Sequence, residues 1–157
     1  MEYHATMVDL IYQILSKGEE YLNQVDSGNA YDKIIRNYHQ FNDSGEKVYK
    51  NHNRMMKYYR FSENAWKNRE DKSLLYHEHL VPVKIIKLEL KKLIKQNEVT
   101  IENIEQILDK TEIVVITNDE QKKLDAEYKT TIPSNGNDRL TEMGIYIDEA
   151  TKNNSIF

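Results

Sequence analysis

Apolar residues recur at helical spacing from the start of the chain. Val8, Ile11, Leu15, Leu22 and Val25, with Leu10 and Ile14 beside them, predict an amphipathic helix over 3–25. Gly18 weakens its middle by about 1 kcal/mol relative to alanine and is the place for a bend. The turn cluster Asp26-Ser27-Gly28-Asn29 leads to a second helix over 30–41 that buries Tyr31, Ile34, Ile35 and Tyr38. Asp43-Ser44-Gly45 then offers another turn, or a cap for a third helix from Glu46 to Tyr59. Ser62 or Asn64 starts a short turn that docks Trp66, the single tryptophan.

The period changes in the second half. Residues before a proline are biased to extended backbone, so 74–81 reads as a strand or extended arm ahead of Pro82. Proline suits a helix start, and Val83, Ile86, Leu90, Leu93 and Ile94 mark the buried side of a helix over 83–96. Thr100 caps a short helix to Leu108. The β-branched run Ile113 to Thr117 is the best strand in the chain, and Thr117 to Glu120 is a capping-box pattern for a helix through Tyr128. A loop over 132–138, one helical turn from Arg139 stopped by Gly144, and a strand-like Ile145-Tyr146-Ile147 complete the reading. The fold class expected is α+β, mostly helical: an N-terminal three-helix part (1–73) and a C-terminal part with helices and a small β-sheet (74–147). Both lie in a single domain over 1–147, and 148–157 is expected as a flexible tail.

Composition narrows the class. A chain of 157 residues with 31 % charged side chains forms one water-facing domain, and its longest apolar runs are too short to cross a bilayer. No basic region precedes an apolar stretch at the N-terminus, so the expected location is cytoplasmic. The chain has no cysteine, which excludes disulfides and thiolate zinc sites, and its five glycines leave no phosphate-cradling loop. Lysine far outnumbers arginine and Asn and Ile are abundant, a bias of AT-rich coding DNA such as that of low-GC bacteria and their phages.

The net charge of -4 conceals three blocks: acidic over 1–46, basic over 47–96 and acidic over 97–157. In the middle block Lys50, Arg54, Lys57 and Arg60 recur every three or four residues among tyrosines and methionines. Lys84, Lys87 and Lys91 coat the helix after Pro82. Such a set can meet phosphates while aromatic rings stack bases, so these seven are candidate nucleic-acid contacts. The alternative is that the basic middle pairs with its acidic flanks inside the fold.

Leu74 to Pro82 holds the densest candidate chemistry: His77, Glu78 and His79 inside an apolar run. Burying an unpaired polar group costs roughly 1–3 kcal/mol, so these three must be hydrogen-bonded, metal-bound or shifted in pKa. On a strand His77 and His79 share a face, a common two-ligand arrangement for a transition metal, while Glu78 points the other way. The alternative is a satisfied polar network anchoring the segment near Trp66 and Arg60. His4, His39 and His52 read as ordinary surface or boundary residues, and Asn135 to Asp138 as a turn.

Glu78-His79-Leu80-Val81-Pro82 resembles the first motif of the His-Me finger (HNH) nucleases, an acidic residue and a histidine followed by two residues and a proline. The resemblance implies a metal ligand at Glu78 and a general base at His79 acting on a phosphodiester, with a divalent metal (Mg, Mn or Zn) that His77 could also ligate. It also implies a β-hairpin followed by a short helix that supplies a final Asn or His. No such motif follows Pro82 directly.

Two functions follow from these readings. The leading one is a small phage or mobile-element protein, without a cofactor, that binds and inhibits a nucleic-acid machine (protein or ribonucleoprotein), as anti-CRISPR and other anti-defence inhibitors do by analogy of type. The alternative is a small metal-dependent nuclease using Glu78 and His79. Neither involves a membrane.

Overall fold

The computed structural model describes residues 2–157, and among them the fold is α+β and mostly helical. Helices α1 (Tyr3–Ser16), α2 (Glu19–Ser27) and α3 (Ala30–Asn37) come first, the last running into a 3-10 turn at Tyr38–Gln40. Then follow α4 (His52–Tyr58), β1 (Arg60–Phe61), α5 (Glu63–Lys67), β2 (Leu75–His79), α6 (Val83–Gln96) and α7 (Ile101–Asp109). Strand β3 (Ile113–Thr117), α8 (Asn118–Tyr128) and α9 (Arg139–Glu142) complete the order. No helix of the described residues is long and apolar enough to cross a membrane.

The single helix expected over 3–25 is two helices. Gly18 sits at φ 96°, where a side chain would be strained, and it redirects the chain between α1 and α2. The helix expected from Glu46 to Tyr59 begins only at His52. Lys50 adopts a left-handed φ of 66°, incompatible with a helix interior. Asn42 turns the segment instead: its Oδ1 accepts from the Glu46 backbone N–H at 2.8 Å, and Asn51 then caps α4 through the Arg54 N–H.

Helices α1, α2, α3, α6 and α7 pack around Val8, Ile11, Leu15, Tyr31, Ile35, Ile86, Leu90 and Ile104. The sequence boundary near residue 73 is therefore not a structural one, because α6 and α7 join the N-terminal helices while β1 joins the sheet. The sheet order is β1-β3-β2, with β1 parallel and β2 antiparallel to β3. Strand β3 is buried on both faces, which is why it reads as an unbroken apolar run. Ile113 and Val115 meet Phe61, Met55, Tyr59 and Ile156 on one face, and Val114 and Ile116 meet Leu124, Leu140 and Ile145 on the other.

The ten residues expected as a flexible tail are tied to β1. Phe61 N–H donates to Thr151 Oγ1 and Asp148 N–H donates to Phe61 O, each at 2.9 Å. The Asn154 side chain donates to the carbonyls of Met56 and Tyr59, Ile156 is buried, and the Phe157 ring lies 4.6 Å from that of His4. An edge strand presents unpaired backbone groups, and this segment satisfies them. Ile147 likewise bridges Ser62 at the end of β1, while its side chain packs against the cluster that holds Val114 and Ile116 of β3. One edge of the sheet is thus covered, and the other edge, β2, carries the histidines.

Candidate functional site

Strand β2 pairs Leu75 to His79 with Thr117 to Ile113, so its side chains alternate across the sheet. His77 and His79 lie opposite Val115 and Ile113, and Glu78 lies opposite Val114. Leu80 N–H extends the pairing to Glu112 O at 2.8 Å, and Pro82 then starts α6.

Each of the three ionisable groups has a distinct environment. The His77 ring stands edge-on to Tyr49 at 4.6 Å, and burial, assisted by the Lys50 charge, lowers its pKa to about 4. His79 Nδ1 lies 2.9 Å from the Thr111 carbonyl. A carbonyl only accepts, so Nδ1 carries the proton and Nε2 keeps its lone pair. Burial holds the His79 pKa below the usual histidine value. Glu78 Oε1 accepts from Arg139 Nη2 at 2.8 Å. Burial raises the Glu78 pKa, the Arg139 guanidinium opposes this, and the Asp125 charge adds to the rise.

Arg139 is only 1 % exposed. Besides Glu78 it donates to the Tyr128 carbonyl at 2.7 Å, the Leu80 carbonyl at 3.2 Å and the His79 carbonyl. Four acceptors around one guanidinium lock α9, the end of α8 and β2 together. Behind the strand, Thr111 Oγ1 donates to Leu108 O, so His39 Nδ1 donates to that hydroxyl at 2.7 Å. His39, expected at the surface or its boundary, is buried, and desolvation together with the nearby His4 and His79 lowers its pKa to about 3. His4 is buried as well.

A cleft of about 410 Å³ runs along the outer edge of β2. His77, Glu78 and His79 enter it from the strand, Asp125 and Lys129 from α8 and beyond, Arg36 from α3 and Lys84 from α6. Asp125, Arg36, Lys129, Thr111 and Arg139 were not among the residues singled out by sequence. Asp125 could have been found as the position one turn past Gln121 on the inward side of α8. Nothing local marks Arg139 as buried.

His77 and His79 share a face as the strand pattern predicts, and further ligands would have to come from elsewhere. Strand alternation separates Glu78 from the two imidazoles, and among the described residues no three His, Asp or Glu side chains converge. Of the seven candidate nucleic-acid contacts, four are held in ion pairs. Arg54 pairs with Glu46 at 3.0 Å, Arg60 forks onto Glu112 at 2.6 and 2.8 Å, Lys87 meets Asp26 at 2.7 Å, and Lys91 meets Glu19 at 3.2 Å. Lys50 and Lys57 lie over the rings of Tyr49 and Tyr58. Lys84 alone of the seven lines the β2 cleft. The intramolecular alternative thus describes Arg54, Arg60, Lys87 and Lys91.

The buried imidazoles set a pH dependence of stability. His39 and His77 hold folded pKa values of about 3 and about 4 against the ordinary 6.5, so the unfolded chain binds more protons between these limits. Stability should therefore be full above about pH 6.5 and fall as pH drops, by up to about 1.4 kcal/mol per pH unit for each histidine. Glu78 and Asp109, whose folded values are raised, act in the opposite sense and offset part of the fall. Urea midpoints at pH 7 and pH 5 measure the slope, which His39→Asn should flatten. An equal slope in that variant would mean that His39 is not held neutral.

The chain matches no protein-family model, no curated protein and no solved structure, so its geometry stands without a known relative beside it.

Proposed function

We propose that the β2 cleft is a phosphodiester-cleaving centre and that the protein is a small nuclease. The observation that carries this reading is one cleft lined by a neutral imidazole with a lone-pair Nε2, two carboxylates and three cations drawn from several elements. His79 Nε2 takes a proton from water, the hydroxide attacks phosphorus, and the opposite P–O bond breaks, its sugar oxygen leaving with a proton from solvent. Arg36, Lys84 and Lys129 offset the charge of the phosphate.

The arrangement around the motif is consistent with the His-Me finger resemblance. The motif strand β2 pairs antiparallel with β3, and β3 runs directly into α8, which packs on both. Helices α6 and α7 lie between the two strands, a departure from the β-hairpin that the resemblance implies. Asp125 of α8 lines the cleft, whereas the resemblance implies an Asn or His from a helix, so the residue available here is a carboxylate in place of a neutral donor.

The donor set suits a hard divalent cation and does not suit zinc. Magnesium is held by one or two carboxylates, with waters and substrate phosphates filling its other positions. Glu78, whose Oε1 is taken by Arg139 while Oε2 has no protein donor among the described residues, and Asp125 are the residues that would hold it. Such an ion supplies charge neutralisation at the phosphoryl and leaving oxygens.

The test is cleavage of labelled single- and double-stranded DNA and RNA with Mg²⁺, with Mn²⁺ and with a chelator. Metal-dependent cleavage that drops at least tenfold in Asp125→Asn is the expected result. No cleavage of any of the four substrates would sink the nuclease reading.

A second reading, an anti-defence-type inhibitor of a nucleic-acid machine, draws support from one observation. Internal pairing consumes much of the basic block, while Glu102, Glu105 and Asp109 stand exposed on α7. Reversing Glu102 and Glu105 to lysine should then abolish capture of the machine it inhibits, in a panel of purified nucleic-acid complexes.

A further inference from the structure

The two edges of the sheet differ. Segment 148–157 covers β1, whereas among the described residues no strand pairs with the outer edge of β2. The phase of the β2–β3 ladder decides which backbone groups face that edge. Leu80 N–H donates to Glu112 O, so in this antiparallel register Tyr76, Glu78 and Leu80 bond to β3. Leu75, His77 and His79 then turn their backbone groups outward, to the cleft. Both ends of this row are satisfied internally: Leu75 N–H donates to Lys72 O, and His79 O accepts from Arg139. The groups between them are Leu75 O, His77 N–H, His77 O and His79 N–H, and these four have no protein partner among the described residues.

Such a row is a template on which an extended chain adds a further strand, and folded proteins ordinarily cover or blunt it. Here it is recessed. Tyr49 stands beside His77 on one face of β2, and α8, with Asp125, packs on the face that carries Tyr76 and Glu78. Walls on both faces leave room for one extended chain and hold off the sheet edge of a second copy. The charge of the cleft selects the chain. Arg36 is held by Asp32, Glu78 by Arg139, and Asp125 accepts from the Gln121 amide. Lys84 and Lys129 also line the cleft and make no ion pair among the described residues. This cationic excess favours acidic side chains on an added strand and disfavours basic ones.

We propose that an acidic segment of a partner protein adds to β2 as an extra strand through these four backbone groups and closes the cleft. Main-chain hydrogen bonds supply the affinity, and Lys84 and Lys129 select for carboxylates. The bound segment lies where a phosphodiester would pass, so it competes with the substrate of the cleft. That consequence rests on the nuclease reading; the strand addition does not.

Fluorescence anisotropy with a labelled hexapeptide of alternating Thr and Glu, at about 50 mM salt with a chelator present, reads binding without catalysis. Its failure is therefore distinct from failure of the nuclease reading. The acidic hexapeptide is expected to bind, and its Thr-Lys counterpart to bind at least about tenfold more weakly. Methylating every backbone nitrogen of the acidic peptide removes the donors to Leu75 O and His77 O without changing charge, and should also cost at least about tenfold. His77→Pro deletes one outward donor and leaves the bonds to β3 in place, since an edge strand tolerates proline there. It should weaken binding at least about fivefold, whereas His77→Ala, which keeps the N–H, should not. Thermal melting checks that the proline variant is folded, and the methylated peptide decides the matter if it is not. No binding of the acidic hexapeptide, equal binding of the lysine or methylated peptide, or wild-type affinity in a folded His77→Pro overturns the proposal. So does a dimer in sedimentation that His77→Pro dissociates, because the edge then belongs to a second copy.

Discussion

His79→Ala should lower metal-dependent cleavage by about 10²–10⁴-fold, the usual consequence of losing a general base, with kcat falling and KM little changed. The Thr111 carbonyl fixes the tautomer by accepting from Nδ1, and burial keeps the ring neutral, so Nε2 is ready to take a proton at neutral pH. Alanine removes the base and leaves that carbonyl without its donor, which costs about 1–3 kcal/mol of stability. Activity and folding must therefore be measured on the same preparation. Added imidazole should restore part of the rate if the ring acts in proton transfer, because the small molecule can enter the vacated space. A variant as active as the wild type, or one whose loss tracks unfolding alone, would remove His79 from the chemistry. Under the inhibitor reading there is no hydrolysis to lose, and His79→Ala leaves partner capture intact.

Arg139→Ala is expected to be the most destabilising single change at the site, by about 3–5 kcal/mol. Its guanidinium is almost completely buried and serves four acceptors on two segments, 78–80 and the end of α8. Removing it strands the Glu78 carboxylate in the interior and unpairs the carbonyls of Tyr128, Leu80 and His79 together. For a chain of this size the loss corresponds to a fall in Tm of roughly 6–20 °C. Arg139→Lys should recover little of it, because an ammonium offers three donors from one atom and cannot span the same acceptors. Glu78→Gln should be milder, since it removes a buried charge while keeping a polar group beside the arginine. If Arg139→Ala melts within a degree or two of wild type, the guanidinium is not the clamp between β2, α8 and α9.

Local signals in the sequence were enough for several elements. The capping box at Thr117 and Glu120 is present, with Glu120 N–H on the threonine hydroxyl and Thr117 N–H on the glutamate, and it starts α8 where the pattern placed it. Pro82 and Thr100 begin α6 and α7 as read, and the β-branched run is β3. These features depend on interactions within three or four residues, or on a period that repeats along one element. The segment carrying His77, Glu78 and His79 was legible for the same reason: strand alternation and the following proline are local.

Long-range contacts decided the rest. Whether residues 148–157 are ordered depends on the backbone of β1, some ninety residues earlier, lacking a partner on its outer edge. His39 looks like a helix-surface histidine until Thr111 is placed against it. The lysines and arginines of the middle block carry a clear pattern, but charge has no direction in a sequence, and only packing brought Asp26 to Lys87 and Glu19 to Lys91. Asp125, Arg36 and Lys129 enter the candidate site through the folding of α3 and α8 around the free edge of β2, a convergence that no spacing records. The sequence by itself determined which segments become helix or strand and where ionisable groups interrupt apolar runs, because both follow from nearest-neighbour chemistry. Tertiary structure decided which charges are neutralised, which histidines are buried and which side chains share a cleft, because those depend on surfaces that meet only after the elements pack.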